Sequence, residues 1–183
     1  MSFRDILHDP QVIRALRELS RAGMVVSLYR IRNNYGILAF DVVETTKKMV
    51  QEASRGRLAN YVRVGEGERE RKDVAVAVIE VPEYEAMPEP AEERDRAAKE
   101  LADRLARKGI KSLIEIESDT RAYIAIDLGS VAKYIAKQAD RALGNNIKHF
   151  AYYDEENGVL QVHVWKGTKP EEVKALEAGG GRK

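Results

Sequence analysis

The sequence contains no cysteine, and that absence removes a disulfide framework, thiolate zinc sites and cysteine nucleophiles together. It fits a reducing cytosol. An excess of one charge is missing too: 31 basic and 30 acidic side chains leave a formal net charge of +1. A polyanion would therefore be held by a local patch and not by the field of the whole molecule. No apolar run approaches the roughly 18–20 residues that cross a bilayer, and the opening "MSFRDILHDP" has no signal-peptide core. The expectation is a soluble, cytoplasmic chain with no membrane partner. Neither G-x-G-x-x-G nor G-x-x-x-x-G-K-[ST] occurs, and there is no Ser-containing nucleophile elbow. No catalytic residue, cofactor or metal is assigned from the sequence.

What is present is an ordinary apolar share of 44% in 183 residues, enough to bury a real core as one domain or two small lobes. Charged residues reach 33%. Abundant Glu, Arg, Lys, Ala and Val without cysteine is also the bias of heat-adapted proteins, which suggests a thermophilic archaeal or bacterial source.

Asp9 and Pro10 set an N-cap and a first helical position, and Val12, Ile13, Leu16 and Leu19 then recur at helical spacing up to Gly23. The β-branched and aromatic run that follows is broken at Asn33, Asn34 and Gly36, which predicts a hairpin of strands near 24–31 and 36–41. Residues 42–55 read as a helix closed by Gly56. "NYVRV" and "DVAVAVIEV" read as strands joined by the polar loop "GEGERERK". "PEYEAMPEP" holds three of the five prolines and acts as a spacer. Residues 91–108 form a helix with acid-to-base pairs Glu92/Arg96, Asp95/Lys99, Glu100/Arg104 and Asp103/Arg107, a solvated face. "KSLIEIE" and "RAYIAIDL" are strands, Ser130 caps a further helix, and 148–165 forms the last hairpin. The glycine run at the end reads as a disordered tail.

The fold class expected is α+β, with mixed α/β possible: a predominantly antiparallel sheet built from hairpins and covered by helices. The expected division is a helix-hairpin-helix lobe at 1–56, a main lobe at 57–168, and a short helix with a tail at 169–183. Beyond a loose strand, strand, helix rhythm, no internal repeat is evident in the sequence.

Three constellations carry chemistry. The first, "AIDLGSVAKY", places Asp127, Gly129 and Ser130 at a strand-to-helix junction, where a helix N-terminus can hold an anion; the same residues also make a common structural cap. In the second, pairing Tyr153 with Val159 would set His149 opposite His163, with Tyr153, Gln161 and Trp165 on the same face. A one-residue change of register would separate the two histidines onto opposite faces. The third is a pair of mixed aromatic and basic clusters: Tyr29, Arg30, Arg32, Asn33, Asn34 and Tyr35, and then Lys148, His149, Phe150, Tyr152, Tyr153, Trp165 and Lys166. Aromatic faces stack on unpaired bases while neighbouring cations hold phosphates. Arg55, Arg57 and Arg63, with Arg69, Arg71 and Lys72, would extend such a track.

From Asp73 onward, "VAVAVIEV", a long helix, "SLIEIE", "AYIAIDL", a further helix and "LGNNIKHFAYY" resemble, in order, the elements of the DHH-associated, DNA-binding domain of RecJ-like exonucleases. The resemblance covers residues 73–166 and implies that Gly144, His149 and Ala151 occupy places that meet the nucleic-acid backbone there. Asn145 and Asn146 stand where that pattern has Gly, Tyr152 and Tyr153 replace small residues, and no Asp-His-His motif is present. What it implies is a nuclease-dead, stand-alone relative of the archaeal replication-accessory kind.

The functional expectation is a non-catalytic protein that binds nucleic acid, single-stranded in form, or replication proteins. Its site would comprise Tyr29, Arg30, Arg32, Tyr35, Lys148, His149, Tyr153, Trp165 and Lys166, with His149, Tyr153 and Trp165 on the face left in water. The alternatives are a protein-interaction or homo-oligomer subunit whose aromatic hairpin packs on a partner, and a phosphate-ligand enzyme centred on Asp127–Ser130.

Overall fold

Asp9 accepts a hydrogen bond from the Gln11 N–H at 2.8 Å, and Pro10 opens α1 (Pro10–Arg21) with a fixed φ and no donor to waste. The structure, a computed structural model, describes residues 5–64, 73–82 and 89–179. The loop "GEGERERK" with Arg69, Arg71 and Lys72, most of the "PEYEAMPEP" spacer and the end of the C-terminal tail lie outside the described residues.

The strands and the other α-helices are β1 (Val26–Arg32), β2 (Tyr35–Asp41), α2 (Val42–Ala53), β3 (Val62–Arg63), β4 (Val74–Glu80), α3 (Pro90–Ala106), β5 (Ser112–Ile116), β6 (Arg121–Asp127), α4 (Leu128–Leu143), β7 (Lys148–Asp154), β8 (Val159–Trp165) and α5 (Glu171–Gly179). The rhythm is thus four successive strand, strand, helix modules, and the fold is α+β. All ladders are antiparallel.

The strands form two four-stranded sheets, ordered β1-β2-β8-β7 and β3-β4-β6-β5. The first module therefore joins the fourth, and the second joins the third. The contacts divide the chain into one unit of residues 1–45 and 135–183 and another of 46–134. This differs from the sequential lobes at 1–56 and 57–168, because β2 takes β8 as its neighbour along its whole length. In the first unit one face of the sheet buries Leu38, Phe40, Leu160, Val162 and Val164, accompanied by Val12, Ala15 and Leu19 of α1 and Ile135, Ala139 and Leu143 of α4. In the second they are Ala77, Ile79, Ala122, Ile124 and Ile126, with Ala97, Ala98, Leu101 and Leu105 of α3.

Two segments of the chain repeat each other, α1-β1-β2-α2 against α3-β5-β6-α4, in step through the strands and one residue out of step at the side-chain cap of the second helix. Gly23 corresponds to Gly109, both at positive φ after a helix. Leu38 and Phe40 correspond to Ile124 and Ile126, all buried. The Asp41 N–H donates to the Val25 carbonyl at 2.9 Å, and the Asp127 N–H donates to the Lys111 carbonyl at 2.9 Å. Thr45 Oγ1 accepts from the Val25 N–H at 3.1 Å, as Ser130 Oγ accepts from the Lys111 N–H at 2.9 Å. The equivalence lies in hydrogen bonds and burial more than in residue identity.

α3 is not solvated all round. Glu100 and Arg104 form the expected i, i+4 pair, while Arg96 turns to Glu93. Arg94 is buried, donating to the Ser118 carbonyl and pairing with Asp95 at 2.8 Å.

Candidate functional face of the first sheet

Residues that are direct partners in an antiparallel ladder project to the same side, so the registers of the first sheet fix rows across one face. The first row is Arg32, Tyr35, Trp165, Lys148; the second is Tyr29, Ile37, His163, Phe150; the third is Ser27, Ala39, Gln161, Tyr152. Asp41, Val159 and Asp154 form a fourth. Cations flank one end of the face and carboxylates the other.

Helix α5 covers the cationic end: Val173 is buried with Tyr35 and Trp165, and Ile37 and Phe150 pack against them. Beneath it, Tyr35 Oη and His163 Nδ1 are 2.6 Å apart, and His163 Nε2 and Gln161 Oε1 are 3.0 Å apart. Because the Gln161 oxygen can only accept, Nε2 carries the ring proton and Nδ1 accepts from the Tyr35 hydroxyl. The two rings also stack, with centroids 5.7 Å apart at 25°. Burial lowers the pKa of His163 against a smaller opposing pull from Glu172, so the ring is held neutral. Burial raises that of Tyr35, helped by Glu172 and opposed by Arg32.

Arg32 grips Glu172 with both guanidinium nitrogens, at 2.8 and 2.9 Å, and lies over the Tyr35 ring at 5.2 Å. This bidentate contact, first among its causes, holds the Glu172 carboxyl below its ordinary range. The arrangement ties α5 to the sheet. Trp165 Nε1 is buried with no hydrogen-bond partner among the described residues.

The register overturns one expectation. Tyr153 pairs with Leu160 and not with Val159, so His149 lies opposite Val164, and Phe150 opposite His163. The histidines are on opposite faces, and His149 and Tyr153 do not share a face with Trp165. The cause is the turn: Asp154 takes a place in the ladder and accepts from Asn157, its N–H at 3.3 Å and its amide nitrogen at 2.7 Å. His149 is held on the other side, Nε2 at 2.7 Å from Asp140 and Nδ1 at 2.7 Å from the Ile147 carbonyl.

Two further expectations on the site residues change with burial. Tyr35 is 1% exposed and Trp165 4%, so neither ring offers a face to a ligand, and the hairpin's tryptophan packs within its own chain and not on a partner. Tyr29 is 56% exposed. The cations all have partners: Arg30 pairs with Asp5 at 2.9 Å, Arg32 with Glu172, Lys166 with Asp9, and Lys148 Nζ donates to the Gly167 carbonyl at 3.0 Å. Arg57 and Arg63 belong to the other unit, as does Arg55. Phe150 and Tyr152, half-buried beside His163 and Gln161, take the side of the sheet expected of His149 and Tyr153. Their alternation with Tyr153 was visible in the sequence, but the face they occupy was not; Glu172 had no signal at all.

In the second unit, Asp127 borders an open cavity of about 340 Å³ lined by Val74, Val76, Leu113 and Ala125. Its helix junction is internally satisfied. Asp127 Oδ1 accepts from the Gly129 N–H at 3.3 Å, and Ser130, buried, donates to the Asp127 carbonyl at 2.7 Å while accepting from Lys111. The expectation of a phosphate site here meets a cap already in use. Among the described residues no group of three or more His, Asp or Glu is placed to hold a metal ion. No protein-family model, no curated protein and no solved structure matches this chain.

Proposed function

We propose that the chain is a non-catalytic accessory protein that binds single-stranded nucleic acid, laying unpaired bases across the uncovered part of the β1-β2-β8-β7 sheet. The observation that carries this reading is the row of Tyr29, Ile37, His163 and Phe150, with Tyr152 in the next row: aromatic rings on both edge strands of one face. Bases stack on such rings without regard to sequence. Arg32 and Lys148 flank the adjoining row, where phosphates would lie, while Asp41 and Asp154 repel the strand from the opposite end. The replication setting is supported only by the element order of residues 73–166, which resembles the RecJ-associated domain. Among the described residues no helix is long and apolar enough to cross a membrane.

Fluorescence anisotropy of a labelled short oligonucleotide tests the reading. Binding at low salt should weaken about tenfold on Tyr29→Ala or Phe150→Ala, and stay unchanged on Tyr153→Ala, which alters the other face. Absence of binding at low salt would sink the proposal.

A further inference from the structure

Among the described residues, the large apolar side chains left exposed are Leu28, Tyr29 and Ile31 on β1 and Leu113, Ile114 and Ile116 on β5. These are edge strands of the two sheets, and they occupy equivalent places in the two units. An apolar edge strand is a template for pairing unless something blunts it. β1 is blunted: its ladder shifts register between Arg30 and Arg32, and both arginines carry ion pairs on it. β5 has no register shift. Its register runs unbroken from Ser112 to Ile116, with Leu113 64%, Ile114 37% and Ile116 53% exposed.

The Lys111 carbonyl accepts from the Asp127 N–H, and the Glu117 N–H donates to the Arg121 carbonyl. Odd-numbered residues of this strand thus turn their backbone groups toward β6. By alternation, the N–H and C=O groups of Ser112, Ile114 and Ile116 point away from the sheet.

We propose that β5 is a homodimerisation edge: two copies of the chain pair β5 to β5, antiparallel, about a twofold axis at Ile114. That register uses all the outward backbone groups, since Ile114 faces Ile114 of the second copy and Ser112 faces its Ile116. On the other side of the sheet Leu113 lies against the stem of Glu115 of the second copy, and Lys111 meets its Glu117. Lys111 is exposed and has no ion pair among the described residues. The Glu117 side chain is 47% exposed, with its contacts to the Tyr123 hydroxyl at 2.8 Å and Arg121 at 3.6 Å leaving room for a second cation. The contact is isologous and therefore closes at two copies. Because the strand is short, the dimer forms in a concentration-dependent manner.

The absence of cysteine makes the test direct. In the proposed register the Ile114 Cα atoms of the two copies lie about 5.5 Å apart, within disulfide reach, whereas the two Leu113 positions are diagonal neighbours about 7–8 Å apart. Under a mild oxidant Ile114→Cys should form a covalent dimer and Leu113→Cys should not. In sedimentation velocity the unmodified chain should shift from monomer to dimer with concentration. Lys111→Glu should weaken that shift, and adding Glu117→Lys to it should restore it. The proposal is overturned by a chain that stays monomeric at every concentration, by equal cross-linking at the two positions or none at either, or by a dimer that Lys111→Glu leaves unchanged.

Discussion

The Tyr35 hydroxyl donates to His163 Nδ1 across 2.6 Å, in a place where Tyr35 is 1% and His163 3% exposed. Neither partner can turn to water if the other is lost.

Tyr35→Phe keeps the ring and its packing but leaves His163 Nδ1 buried without a donor. An unsatisfied buried acceptor of this kind costs about 1–3 kcal/mol. Urea unfolding should show that loss as a lower midpoint with an unchanged slope. A variant as stable as the wild type would mean that the hydroxyl bond does not hold the two strands.

The same pair sets a pH dependence. His163 is kept below its ordinary value of 6.5, chiefly by burial. Below 6.5 the unfolded chain takes up a proton that the folded chain refuses, so stability falls as pH drops through this window and is level above it. The lowered carboxyls act lower still. For Glu172, the hydrogen bond from Arg32 lowers a group whose ordinary value is 4.5. For Asp5 and Asp9, burial raises the carboxyl, but hydrogen bonds outweigh it: from the Leu7 N–H and Arg30 for Asp5, and from Lys166 and the Gln11 N–H for Asp9. Their stabilisation is complete above 4.5 and is lost as pH falls through their folded values. Comparing urea midpoints of the wild type and His163→Gln between pH 7.5 and 5 should show the wild type losing more stability than the variant; parallel curves would remove His163 from the account.

Which parts of this were legible in the sequence follows from how local their causes are. Asp9-Pro10 and the Asn33-Asn34 turn act within a few residues, and the elements they begin or join are found where periodicity puts them. The pairing of β2 with β8 and of β4 with β6 depends on neighbours far along the chain, so a single sheet was expected and two exist. The last hairpin shows the sharpest limit. One residue of turn length, decided by the Asp154 carboxylate bonding to Asn157, moved every β7 side chain to the opposite face relative to His163, Gln161 and Trp165. The repeat leaves no signal in the sequence because Leu38 and Phe40 answer to Ile124 and Ile126: the positions agree in burial and not in identity.

Trp165, the only tryptophan, reports on the docking of α5. Buried with Tyr35 and Val173, it should emit as a water-excluded indole and be quenched weakly by iodide, with or without an oligonucleotide. Val173→Ala opens the cluster at its helix side and costs about 1–3 kcal/mol. It should shift the emission to the red and raise the quenching. A tryptophan already fully quenched in the wild type would contradict the burial.

Glu172 competes with any phosphate for Arg32. The guanidinium spends both of its outer nitrogens on that carboxylate, so a phosphate gains the full charge only if the pair opens. Glu172→Gln removes the competing charge and should tighten binding of a short oligonucleotide. It should also steepen the dependence of log affinity on log salt by about 0.7, the increment for one more phosphate contact on a single strand. Arg32→Ala alone should weaken binding, and in the Arg32→Ala background Glu172→Gln should lose most of its effect, because the cation it frees is gone. Lys148→Ala, at the far end of the same row, should reduce the slope independently. If Glu172→Gln tightened binding equally with and without Arg32, the gain would come from general loss of negative charge, and Arg32 would have no part in holding the strand.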